Sequence, residues 1–157
     1  MAVMSQDPEP GERRLDRPPS DRYVAPEDDQ PQPAPGSVGR AVVYGAGAAL
    51  VGAVLTVLLG GVVALSAGLL VVWATVGNVI GMLTKLGGGA AVAAPRRVML
   101  AIGLALLGVA IGQLGLWWYA GTEGGVLPLV DYLAETFGLL VPLQALLAAG
   151  FAWWGAR

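Results

Sequence analysis

Between Ala41 and Thr84 lie 44 consecutive residues without a formal charge. A chain that leaves water for lipid must satisfy its own backbone N–H and C=O groups, so such a run is expected to be helical. A single helix of that length would measure about 66 Å, twice the roughly 30 Å hydrocarbon core of a bilayer. The run therefore has to fold back on itself. Gly60-Gly61, near its middle, is the expected turn, because paired glycines relax the backbone and interrupt helices. Two spans follow, at about 41–60 and 62–84. A third clean stretch covers about 98–119. A fourth covers about 136–156, with an expected kink at Pro142.

Charge placement gives an independent count. Arg13, Arg14, Arg17, Arg22 and Arg40 precede the first span, Lys85, Arg96 and Arg97 fall between the second and third, and Arg157 follows the fourth. The segment from Ala120 to Glu135 carries only Glu123, Asp131 and Glu135. With four spans, all nine basic residues lie on one side, the cytoplasmic one by the positive-inside rule. If Ala41–Thr84 crossed only once, the Lys85–Arg97 loop would face away from the tail. The expected architecture is thus an all-α, integral membrane four-helix bundle of two hairpins, multi-pass in the cell membrane, with both termini cytoplasmic. Trp117, Trp118 and Tyr119 at one interface and Tyr44, Trp153 and Trp154 at the other fit an aromatic belt.

The first 38 residues differ in kind. They hold eight of the eleven prolines, and thirteen of the twenty charged residues precede position 41. Such a segment buries too little apolar surface to offset ordering entropy, so 1–38 is expected to be a disordered, Pro-rich cytoplasmic tail and 39–157 the membrane domain. Met1 and Met4 are equally good starts. Pro31-Gln32-Pro33-Ala34-Pro35 favours polyproline II, first of all as a solvated linker.

In lipid, helices associate through small residues that let backbones approach. Gly77 and Gly81 form such a pair in span two. Ala101, Ala105, Gly108, Gly112 and Gly115 form a longer ridge on one face of span three. Gly45, Ala49 and Ala53 repeat the pattern in span one. The ridge is open to either a helix of the same chain or a second subunit.

The chemistry on offer is narrow. There is no cysteine and no histidine, hence no thiol nucleophile or thiolate metal site, and neither the commonest general base nor the commonest metal ligand. No ionisable side chain falls clearly inside a span, which argues against proton-coupled transport. Gly87-Gly88-Gly89 reads as a flexible inner loop and not a phosphate cradle, because no Gly-Lys-Ser/Thr follows. The embedded polar set is Thr56, Ser66, Thr75, Asn78, Gln113 and Gln144. Interhelical hydrogen bonding is its first explanation. The sharper one has Asn78, Gln113 and Gln144 lining a narrow polar path.

The order of glycine-rich hairpin, "VGNVIGMLTKLGGG", basic loop, third span, acidic loop and fourth span resembles small bacterial four-helix membrane proteins with a soluble N-terminal extension. The resemblance implies the bundle and carries no activity. The expectation is a non-enzymatic membrane protein without cofactor or metal: a scaffold, accessory subunit or assembly factor. Its partners would be the bilayer and another membrane protein or a second copy, with no nucleic acid. The alternative is a small oligomeric channel or facilitator for a neutral solute or ion.

Overall fold

The computed structural model describes residues 35–65, 67–124 and 127–157. The expected tail therefore lies almost wholly outside the described residues. Those residues form five α-helices and no strand: α1 (Val38–Thr56), α2 (Gly68–Gly88), α3 (Ala94–Glu123), α4 (Leu129–Thr136) and α5 (Leu140–Ala156). α1 runs on through a widened π-helical stretch, Val57–Val62. Three helices are long and apolar enough to cross a membrane: Val38–Val62, Gly68–Ala91 and Ala94–Glu123. α4 and α5 pass that test only as a pair, bent by 88°.

α1 begins where Ser37 accepts a hydrogen bond from the Arg40 amide at 3.1 Å, satisfying one of the unpaired first-turn donors. The helical stretch runs through Gly60-Gly61 to Val62, so the reversal after α1 comes later than the paired glycines. Both glycines are helical. They are small because of what covers them. A Cβ on Gly60 would lie 3.1 Å from Leu116 and Leu69, and one on Gly61 would lie 2.8 Å from Tyr119. The residue that does adopt a left-handed conformation in the turn is Ala64, at φ 55°.

A similar correction applies to the inner loop. Gly87 and Gly88 complete the last turn of α2, tucked beneath the start of α1, and Ser37 donates to the Gly87 carbonyl at 3.0 Å. Only Gly89, at φ 49°, leaves the helix, and Gly89–Ala91 forms one 3-10 turn before α3. Pro142 is not the kink either. The break lies at Phe137–Leu139, where Gly138 takes φ 50° and donates to the Leu133 carbonyl at 3.0 Å. Pro142 then sits in the first turn of α5, where its missing N–H costs nothing.

The helices pack side by side with alternating direction. At one end, α1 meets α2 through the Ser37–Gly87 bond, and Arg97 at the start of α3 donates to the Ala156 carbonyl at the end of α5 at 2.9 Å. Trp73 anchors the core; fully buried, it lays its ring against Gly52, Gly108 and Ala49. Alanines dominate the rest, Ala101, Ala105, Ala148, Ala152 and Ala156 all being fully buried. A second cluster, Leu69, Leu116 and Phe137, closes the opposite end, with Tyr132 edge-on to Phe137. The outward surface is apolar: Val71, Met99 and Leu146 are each about 70 % exposed. In water such a surface would cost heavily; in lipid it is matched to its solvent.

Candidate functional site

α3 and α5 together bury the most polar point of the bundle. Gln113 Nε2 donates to Gln144 Oε1 at 2.8 Å, with both residues almost wholly inaccessible. Gln113 stands about 24 Å along α3 from Arg97, at the sixteenth residue after it. The pairing is incomplete. Gln113 Oε1 and Gln144 Nε2 have no partner, and the same holds for Trp73 Nε1 and Thr84 Oγ1. One hydrogen bond between two amides thus leaves an acceptor and a donor facing apolar surroundings, a cost of about 1–3 kcal/mol for each such group.

Asn78 does not join this pair. It lies on α2 beside Gly155, with its side-chain oxygen 2.8 Å from where a Gly155 Cβ would sit, and its amide nitrogen points toward Met82 Sδ at 3.9 Å. Thr56 turns back to its own helix, donating to the Gly52 carbonyl at 2.8 Å. Ser66 lies outside the described residues. So of the three candidate polar residues, two meet and the third stands apart.

The small-residue candidates all lie at helix contacts within the chain. A Cβ on Gly77 would collide with the Ala148 carbonyl of α5, and one on Gly81 with the Ala152 carbonyl. Of the α3 ridge, Gly108 faces Ala49, Gly112 faces Thr56 and Gly115 faces Val57, all on α1 or its extension; an added Cβ would lie 3.1 Å from Thr56 at Gly112 and 2.7 Å from Val57 at Gly115. Ala101 and Ala105 follow Arg97 at four-residue steps on the line toward Gln113, and both belong to the core that α5 completes. Within the ridge Ala101, Ala105, Gly108 and Gly112 are buried inside the bundle, and Gly115 also borders the outer groove between α1 and α3. Periodicity finds such a ridge, but not what lies on it.

The two ends of the bundle differ electrostatically. At one end the Arg40 guanidinium lies 5.7 Å above the Tyr44 ring, and that of Arg157 lies 3.3 Å from the Trp153 ring. At the other, Glu123, Asp131 and Glu135 are exposed around α4. Burial, and secondarily the charge of Glu123, holds the Tyr132 phenol above its usual range. Among the described residues no three His, Cys, Asp or Glu side chains gather where a metal could sit.

Two apolar grooves run along the outside. One of about 620 Å³ lies between α1 and α2, lined by Tyr44, Gly47, Ala48, Val51, Thr75 and Val79 among others. The other, about 310 Å³, lies between α1 and α3. Neither contains Asn78, Gln113 or Gln144. Comparison with known protein families, curated proteins and solved structures gives no match to this chain.

Proposed function

We propose that residues 39–157 form a four-span membrane bundle that acts as a non-enzymatic scaffold, accessory subunit or assembly factor. In this reading α1, α2, α3 and α5 cross the bilayer, α4 lies along its outer face, and both termini are cytoplasmic. The bend supports the placement of α4, since Leu129, Val130 and Leu133 can dip into the headgroup region while Asp131 and Glu135 remain in water. Alternating helix direction supports the topology, because it brings Arg40, Lys85, Arg97 and Arg157 to one end.

The observation that carries the functional reading is that the embedded polar residues do not line one path: Gln113 and Gln144 meet inside the bundle and Asn78 stands apart from both. Gln113 bonds Gln144, Thr56 bonds its own helix, and the outward surface is left apolar. A bundle with its amides turned inward has a lipid-soluble exterior suited to lateral contact with another membrane protein. The second reading, an oligomeric channel or facilitator using Asn78, Gln113 and Gln144, draws on the unpartnered amide atoms of the glutamine pair.

Gentle detergent extraction of the tagged full chain, followed by mass measurement and identification of co-purifying chains, separates the two. A stoichiometric partner of different sequence is expected. A closed homo-oligomer with no partner would move the reading to the channel.

A further inference from the structure

The groove between α1 and α2 has a cation in register beyond one end, Arg40. On α1 its wall is Tyr44, Gly47, Ala48 and Val51. Arg40 continues the same stripe one turn below Tyr44, at the four-residue spacing that stacks side chains on one helix face. Its guanidinium lies over the Tyr44 ring at 5.7 Å, and among the described residues its side chain donates once, from Nη1 to the Pro35 carbonyl at 3.1 Å. The first-turn amides of α1 add partial positive charge at the same level. From Arg40 to Val51 is eleven residues, about 16 Å of helix, and one leaflet of hydrocarbon is about 15 Å deep.

We propose that this groove binds one anionic phospholipid of the inner leaflet, an acyl chain lying between α1 and α2 and the phosphate at Arg40. The inference rests on the membrane reading above and adds a specific ligand class to it. The groove has room for an unbranched chain because its α1 wall is low at Gly47 and Ala48. A Cβ at Gly47 would meet nothing within 4 Å, so the space above it is open. The occupant that charge selects is an amphiphile with a negative head, not a neutral one.

The test uses the purified full chain, equilibrated with vesicles of equal phosphatidylglycerol and phosphatidylcholine bearing the same acyl chains, and weighed intact with its retained lipid. The unaltered chain is expected to retain phosphatidylglycerol about fivefold over phosphatidylcholine, the factor contributed by one basic residue near an anionic surface. Arg40→Gln should bring that ratio to about one while lipid is still retained. Gly47→Leu, which fills the groove, should abolish retention of both, with helicity checked by circular dichroism; if it unfolds, Arg40→Gln alone decides. Equal retention and equal preference in all three chains would overturn the proposal. So would a dimer that Gly47→Leu splits without changing the bound lipid, since a second copy would then be the occupant. Release of the chain from membranes by alkaline carbonate would instead refute the membrane reading on which the proposal stands.

Discussion

The seam between α2 and α5 gives the most exacting prediction, because two glycines there meet backbone and not flexible side chains. A Cβ on Gly81 would sit 2.7 Å from the Ala156 nitrogen and 2.9 Å from the Gly155 carbonyl carbon, and closer still to the Ala152 oxygen. Bringing the nearest atom, the Ala152 oxygen, to the 3.4 Å of ordinary contact requires the helices to part by about 1 Å. A gap of roughly 0.5–1 Å forfeits a quarter to a half of the dispersion energy across the contact, and overpacking of this kind costs about 1–3 kcal/mol. Against this, alanine is a better helix former than glycine by about 1 kcal/mol. Gly81→Ala and Gly77→Ala should therefore each destabilise, by up to about 2 kcal/mol. In the double variant the second change should cost less than the first, because the seam is already open. Gly103→Ala and Gly150→Ala are the controls: both positions are helical and neither Cβ would meet anything within 4 Å, so propensity alone acts and stability should rise by up to about 1 kcal/mol. Reversible unfolding in mixed micelles, followed by tryptophan fluorescence together with circular dichroism, measures all four. Destabilisation at Gly81 and stabilisation at Gly103 are the expected pair of signs. The same sign at both would refute the close approach of α2 to α5.

The glutamine pair should show non-additivity. Gln113→Leu or Gln144→Leu alone leaves the other amide buried without its partner and should cost about 1–3 kcal/mol, whereas the double substitution should be close to neutral; a double cost equal to the summed singles in the same micelle assay would mean that the two amides do not interact. Arg97→Met removes the Nε–H that holds the Ala156 carbonyl and should cost about 1 kcal/mol, appearing as faster amide exchange in the last turn of α5. Unchanged exchange at Gly155–Arg157 would show that this contact does not hold the helix end.

Much of the architecture is legible in the chain because lipid restricts what a backbone can do. A charge-free run of 44 residues has to be helical and has to reverse, whatever its partners. The details that escape are those where one residue type serves two purposes. Gly60 and Gly61 look like a turn, yet Leu116 and Tyr119, more than fifty residues away in sequence, require their smallness, and the turn falls to Ala64. Pro142 looks like a kink, yet the helix begins only two residues before it, so the chain bends at Gly138. The α3 ridge is visible from its spacing, but α1 as its cover depends on which helix turns back where. Gln113 and Gln144 stand out as embedded amides. Their meeting follows only from the antiparallel register of α3 and α5, as does the separation of Asn78 from both.

The central claim is that this chain crosses the membrane four times with its basic residues on one side. Its natural lack of cysteine permits a direct measurement, in which single cysteines are introduced at Val63, Ala90, Thr122 and Arg157 and intact cells are treated with a membrane-impermeant maleimide. The account predicts labelling of Val63→Cys and Thr122→Cys from outside, and of Ala90→Cys and Arg157→Cys only after permeabilisation. Labelling that placed positions 63 and 90 on the same side would contradict it.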